Sequence, residues 1–196
     1  MKLIIVNIKQ YVNGHLDIIS EIRNFMKYLF TLLLSSTLAF ASFDGLNSFQ
    51  ADFTQSVTDD KNKSLVYKGH VVASKPQNAV WNYMEPIKKD VYISKYSVTI
   101  IEPEIEQVII RRIDASLDFF NMIQNAKEIE KNRYEANYKE SKFTITTNNK
   151  LIESISYLDE FENNVKIVFK NQKQNEKISR ELFTPKYSLE FDVIRD

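Results

Sequence analysis

The chain has 196 residues, of which 43% are hydrophobic and 27% charged, a composition typical of one globular domain. Lys and Arg together number 26, as do Asp and Glu, so there is no basic excess to indicate nucleic-acid binding. Cysteine is absent, which excludes disulfides, thiolate metal ligands and a lipid-modified cysteine, and the three glycines are too few for a phosphate-binding loop.

Residues 26–41 predict a secretory signal peptide. The segment opens with Met26-Lys27, continues through a short apolar run and ends in Ala39-Phe40-Ala41, the small-x-small pattern of a cleavage site. The apolar run is shorter than the roughly 20 residues that span a bilayer. We therefore expect export, with the periplasm as the location of the processed chain.

Residues 1–25 do not fit the front of a signal peptide, because they carry Asp17 and Glu21 where a compact basic region is expected. We interpret them as an overrun upstream of a true start at Met26, with an extended leader as the alternative. Cleavage after Ala41 would leave residues 42–196, which we expect to form a single domain.

Alternation of polar and apolar residues with a period of two predicts strands through most of residues 42–196. The predicted strands lie around residues 49–57, 65–71, 79–83, 91–93, 98–101, 105–110, 134–138, 143–147, 151–158, 165–169, 178–183 and 189–194. Asn148-Asn149 predicts a tight hairpin, because Asn tolerates positive φ. The expected architecture is a mainly β fold, an incomplete antiparallel barrel of about ten or eleven strands covered by short helices.

One long segment follows a helical period instead. Between residues 113 and 129 the apolar residues recur every three or four positions, which predicts a helix, with Asp114 placed to cap its first turn. The residues on this apolar stripe are Ile113, Leu117, Phe120, Ile123 and Ala126. A second, shorter helical piece is predicted around residues 43–47.

Catalytic constellations are scarce in this sequence. His70 is the only histidine in residues 42–196, so a metal site built on several histidines is excluded. Neighbouring acids such as Glu102 and Glu104 are interpreted as solvated loop charges rather than as a general acid and base. We predict no catalytic residue, no metal, no cofactor and no enzymatic activity.

Apolar residues occupy both faces of several predicted strands. Val80 and Met84 face opposite to Trp81 and Tyr83, and the chain contains 13 Phe and 10 Tyr. A sheet that avoids water on both faces must be covered twice or must enclose something. From the pattern alone, a filled core and an apolar hollow both stay open.

Four motifs resemble those of the LolA family of outer-membrane lipoprotein carriers. Residues 75–86 read Lys-Pro-Gln-Asn-Ala-Val-Trp-Asn-Tyr-Met-Glu-Pro and are similar to the family signature Arg-Pro-x-x-Phe-x-Trp-x-x-x-x-Pro. The other three motifs, similar to family motifs in the same order, are Phe49-x-Ala51-x-Phe53-x-Gln55, Glu102-Pro103-x-x-Glu106-Gln107-Val108, and Leu182-Phe183-Thr184-Pro185 followed by Phe191-Asp192-Val193. Together the motifs cover nearly all of residues 42–196.

The resemblance implies a periplasmic chaperone whose hollow, closed by a helical lid, holds the acyl chains of lipoproteins on their way to the outer membrane. The implied partners are acylated lipoproteins, the inner-membrane ABC transporter that releases them, and an outer-membrane acceptor that the sequence does not identify. We expect a monomer with no nucleic-acid partner. The alternative is a lipoprotein-sensing or structural interaction domain of the same fold with no carrier role.

The resemblance also assigns roles to individual residues. By position, the predicted lipid-binding residues are Phe49, Phe53, Trp81 and Tyr83 in the hollow, and Leu117, Phe120 and Ile123 on the underside of the lid. Lys75 is the expected lid latch, because it stands where the family has an Arg, although it lacks the planar fork of donors. Ala79 stands where the family often has a large Phe near the mouth. Both departures predict a latch and a transporter contact that differ from the family pattern.

Overall fold

A computed structural model describes residues 43, 45–113, 118–138 and 140–195. The predicted signal peptide and the upstream residues 1–25 lie outside the described residues, so both remain predictions. Residues 41–196 belong to one compact unit. In the part of the chain that the structure describes, no helix is both long enough and apolar enough to cross a membrane.

Twelve strands of the described residues form one sheet. They are β1 (Ser48–Thr58), β2 (Ser64–Ser74), β3 (Asn78–Glu85), β4 (Lys89–Ile93), β5 (Ser97–Glu102), β6 (Gln107–Arg112), β7 (Lys127–Glu130), β8 (Arg133–Tyr138), β9 (Ser141–Asn148), β10 (Leu151–Leu158), β11 (Asn164–Gln174) and β12 (Asp192–Arg195). The prediction of a mainly β fold with an open sheet is confirmed, with one or two more strands than expected.

Neighbouring strands in the sheet are consecutive in the chain, except where β1 pairs with β11 and β12 pairs with β6. The order of the sheet is β12-β6-β5-β4-β3-β2-β1-β11-β10-β9-β8-β7, so β1 joins the two halves by pairing with both β2 and β11. Every pairing is antiparallel except the one between β12 and β6, which is parallel. The sheet ends at β12 and β7, and these two edges do not pair with each other, which leaves the barrel incomplete.

Among the described residues, the predicted long helix is confirmed only over residues 119–124 and is wrong at residues 113 and 125–129. The helix α1 spans only Phe119–Gln124, with the Asp118 side chain accepting from Asn121 N. Asn125 follows the helix and its side chain donates to Asn121 O at 2.8 Å, which ends the run, and the chain then pairs with β8 as strand β7. Residues 114–117, which include Leu117 and the expected cap Asp114, lie outside the described residues.

Three shorter predictions also differ from the structure. Residues 178–183, predicted as a strand, include the 3-10 turn Arg180–Phe183, which the Ser179 side chain caps. Ile105 belongs to the 3-10 turn Pro103–Ile105 before β6. Among the described residues of 43–47 there is a single turn, in which Leu46 N donates to Phe43 O at 3.0 Å, and not a helical piece.

Each face of the sheet buries its own apolar layer. Val71 pairs with Ala51 on one side and Trp81 on the other, so these three residues share one face, the concave face, where the main core lies. The residues between them point the opposite way. On that outer face the buried side chains of β2 to β6 are Val72, Val80, Thr99, Ile101 and Val108.

The segment between β11 and β12 crosses the outside of the sheet. It leaves β11 beside β1, where Asn175 N donates to Ser48 O at 3.0 Å, and reaches β6, where Asp192 N donates to Glu106 O at 2.9 Å. Between these two points the turn Arg180–Phe183 contacts β3. We call residues 175–191 the strap. Because the strap covers the outer apolar layer, the concave face alone is left to form a cavity.

Candidate functional site

The concave face encloses a cavity of about 440 Å³. Its described lining residues come from β1 to β5, from β8, β10 and β11, and from α1, so the sheet must curl around this space. They are Phe49, Gln55, Val71, Ala73, Gln77, Asn78, Ala79, Trp81, Tyr83, Val91, Ile93, Val98, Ile113, Phe119, Phe120, Tyr138, Tyr157, Ile167 and Phe169. None of these side chains is charged, and most are apolar, which suits a hydrophobic ligand.

Four of the seven predicted lipid-binding residues line this cavity: Phe49, Trp81, Tyr83 and Phe120. Phe53 lies behind the wall, only 3% exposed, with its ring 5.0 Å from the Trp81 ring and 5.1 Å from the Tyr83 ring. Ile123 is fully buried in the main core. Leu117 lies outside the described residues. Ligand binding by these residues remains a prediction.

Aromatic contacts fix α1 against the sheet. The Phe49 ring lies 5.2 Å from Phe169 and 5.7 Å from Phe119, which in turn contacts Phe120 at 5.4 Å. Edge and tilted contacts of this kind add roughly 0.5–1.5 kcal/mol each beyond their buried area. The first turn of α1 therefore forms part of the cavity wall and is held there by rings.

Lys75 lies at the end of the cavity where β2 turns into β3. Its backbone N donates to Asn47 O at 2.9 Å, and Gln77, Asn78 and Ala79, which follow it, line the cavity. Its ammonium makes no hydrogen bond or ion pair with a described residue. The predicted role of Lys75 as a lid latch is therefore neither supported nor contradicted by these contacts.

The other end of the cavity carries Tyr83, which the resemblance predicts, together with Gln55 and Tyr157, which the sequence did not assign to the site. The Tyr83 hydroxyl donates to Gln55 Oε1 at 2.9 Å, and Tyr157 lines the same end. Burial, with smaller contributions from Tyr157 and Tyr67, raises the pKa of Tyr83 to about 12, and burial also raises the pKa of Tyr157. Both phenols therefore stay neutral hydrogen-bond donors near pH 7.

The period of two could have identified Gln55, because it follows Phe53 by two positions on β1 and therefore shares its face. No local signal identifies Tyr157. Its place in the cavity depends on the pairing of β10 with β11 and of β11 with β1, which joins residues about 100 positions apart in the chain.

A sheet curled around an uncharged, apolar hollow defines a class of β proteins that enclose a hydrophobic space. Within that class, residues 44–123 match the family model described as outer membrane lipoprotein carrier protein LolA. The chain is 41% identical over 149 residues to the outer-membrane lipoprotein carrier protein of Campylobacter jejuni subsp. jejuni, covering 76% of this chain and 87% of that protein.

Two further relatives carry the same description. The carrier protein of Wolinella succinogenes is 33% identical over 81% of this chain and 92% of that protein. That of Helicobacter hepaticus is 27% identical over 79% of this chain and 86% of that protein. The chain belongs to the LolA family of outer-membrane lipoprotein carrier proteins, as its four motifs indicate.

Proposed function

We propose that the protein carries lipoproteins to the outer membrane with their acyl chains held in the concave cavity. The observation that carries this proposal is the lining of the cavity, which among the described residues contains no charged side chain. The descriptions of its relatives as outer-membrane lipoprotein carriers support the same function.

Burial of acyl chains supplies the driving force for such a carrier. Each buried CH₂ contributes about 0.8 kcal/mol, so an acylated protein crosses water only when its chains are shielded. A carrier must also release its cargo. Mostly apolar walls suit release, because they hold a chain with few directional bonds.

The remaining parts of the proposal concern partners and the lid. We propose that the protein is a periplasmic monomer without enzymatic activity that takes its cargo from an inner-membrane ABC transporter. The lid would be α1 with the residues before it, including Leu117, and Phe120 would contact the acyl chains from the lid side. Lys75, beside the β2–β3 turn, would latch the lid. A lipoprotein-sensing or structural domain of the same fold is the alternative.

The decisive experiment compares Trp81→Asp with Thr54→Asp. Trp81 lines the cavity, whereas Thr54 lies on the outer face of β1 opposite Lys68. A carboxylate in the cavity must be desolvated when an acyl chain binds, so Trp81→Asp should lose at least tenfold in affinity for a fluorescent fatty-acid probe. Thr54→Asp should bind as tightly as the wild type.

Two further measurements make this experiment conclusive. Urea unfolding should stay cooperative in Trp81→Asp, and mass spectrometry should find lipoproteins co-purifying with the wild type but not with this variant. Equal probe binding by Trp81→Asp and the wild type would contradict the proposal. Loss of cooperative unfolding would assign Trp81 to the core and favour the structural alternative.

A further inference from the structure

The polar end of the cavity contains hydrogen-bond donors without a described partner. The Tyr83 hydroxyl donates to Gln55 Oε1. The Gln55 amide N–H groups make no hydrogen bond with a described acceptor. Tyr157 Oη likewise makes no hydrogen bond with a described residue. Among the described residues, the one completely buried polar side-chain atom without a partner is Gln172 Oε1, so the unpaired donors of Gln55 and Tyr157 are not completely buried, and both residues line the cavity.

These donors are held in place by their neighbours. The Tyr83 ring contacts Phe53 at 5.1 Å and Tyr67 at 5.8 Å, and the Tyr157 ring contacts Phe143 at 4.8 Å. Gln55 and Tyr157 lie on the same face of strands separated only by β11, since Gln55 pairs with Ile167 and Tyr157 with Val165. Long side chains on a concave face therefore converge at this end.

The side chains at this end of the cavity suit a neutral hydrogen-bond acceptor. The donors that remain available, the Gln55 amide and the Tyr157 hydroxyl, are uncharged. Lys89 lies over the Tyr83 ring at 4.8 Å and is not a lining residue. An acyl chain is apolar except at the carbonyl that links it to the rest of the molecule. That carbonyl oxygen accepts hydrogen bonds and, once buried, needs them.

We propose that Gln55 and Tyr157 form a subsite that binds the linkage carbonyls of acyl chains, with Tyr83 positioning Gln55 through its hydrogen bond. This inference rests on the proposed carrier function. The carbonyl end of a bound chain lies against Gln55 and Tyr157, and its hydrocarbon extends along Trp81 towards Phe49 and Phe119. The subsite thereby fixes the direction in which a chain lies in the otherwise smooth cavity.

The test compares an ester lipid with its ether analogue. Calorimetric titration of the purified protein with 1,2-dioctanoylglycerol and with 1,2-dioctylglycerol varies only the carbonyls. We expect the wild type to bind the diester about fivefold more tightly for each hydrogen bond formed. Tyr157→Phe, and separately Gln55→Met combined with Tyr83→Phe, should reduce this preference, measured as the ratio of the diester affinity to the diether affinity of the same variant.

Tyr92→Phe is the matched control, because Tyr92 pairs with Val80 on the outer face and its phenol is outside the cavity. It should keep the wild-type preference. Equal binding of the two lipids by the wild type, or a preference that persists in both cavity variants, would overturn the subsite alone. Octanoate that binds more tightly than the diester and depends on Lys89 would also overturn it, in favour of a carboxylate site. Failure of both glycerol lipids to bind would overturn the carrier function as well.

Discussion

Gly69 lies in close contact with the backbone of β3 and with the Phe53 ring. A Cβ atom at this position would lie 2.1 Å from Asn82 O and 2.8 Å from Phe53 Cζ. We expect Gly69→Ala to lower the free energy of unfolding by about 1–3 kcal/mol, since the neighbouring strand must move. Urea unfolding measures this loss.

Gly45→Ala is the control, because nothing lies within 4 Å of the added atom, and its effect should stay within about 0.5 kcal/mol. Truncating the ring as well, with Phe53→Leu in the Gly69→Ala background, should not restore stability, because the nearest atom is a backbone oxygen. Recovery in that double variant would contradict the argument.

At the level of single residues, the sequence could predict which side chains share a face but not which of them border empty space. The resemblance predicts that Phe49, Phe53 and Trp81 all lie in the hollow, whereas alternation predicts only that they share a face. The structure places Phe49 and Trp81 on the lining, with Phe53 behind them, because Gly69 opposite Phe53 leaves room for its ring to sink towards the sheet. That difference depends on a contact between strands, which no local pattern encodes.

Among the elements, the hairpin between β9 and β10 was predicted correctly to within one residue. Asn148 pairs with Leu151, so the two turn residues are Asn149 and Lys150, with φ angles of 49° and 66°. This turn type favours Gly at its second position, whereas Lys is strained there. Lys150→Gly should raise the free energy of unfolding by about 0.5–1 kcal/mol, measured by thermal and urea denaturation.

Asn149→Gly is the comparison for this prediction. Asn tolerates the left-handed region, so the gain at position 149 should be smaller than the gain at position 150. Lys150 is exposed and belongs to no described ion pair, so the substitution removes no contact that would mask the effect. An equal or larger gain at position 149 would show that strain at Lys150 is not the cause.

The predicted helix shows why periodicity alone fails at element boundaries. Phe120, Ile123 and Ala126 do pack on one side, as a helix requires, and the sequence continues with Ile129 in phase. In the structure Ile129 is 47% exposed on β7, whose backbone pairs with β8. An unpaired edge of β8 competes for this segment, and the hydrogen bonds it offers outweigh a weak helical preference.

For the whole molecule, the apolar residues on both faces of β3 admitted either a filled core or a hollow. The structure shows a filled layer on the outer face and, on the concave face, the main core with a cavity beside it. The outer layer around Val80 and Val108 is covered by the strap, and the concave layer around Trp81 remains a cavity. The strap could not be predicted, because residues 178–183 read as a strand and the pairing of β12 with β6 joins positions more than 80 residues apart.

Separate faces imply that stability and ligand binding can be changed independently. Phe183 and Leu182 are neighbours in the strap turn that contacts β3, but Phe183 is half-buried and Leu182 is 53% exposed. Phe183→Ala should therefore lower the free energy of unfolding by about 1–3 kcal/mol, less than a fully buried ring would cost. Leu182→Ala should change it by no more than about 0.5 kcal/mol.

Neither variant should alter the affinity for a fatty-acid probe, because the strap contributes no described residue to the cavity. A fall in probe affinity for Phe183→Ala under conditions where the variant remains folded would mean that the two faces are coupled through β3.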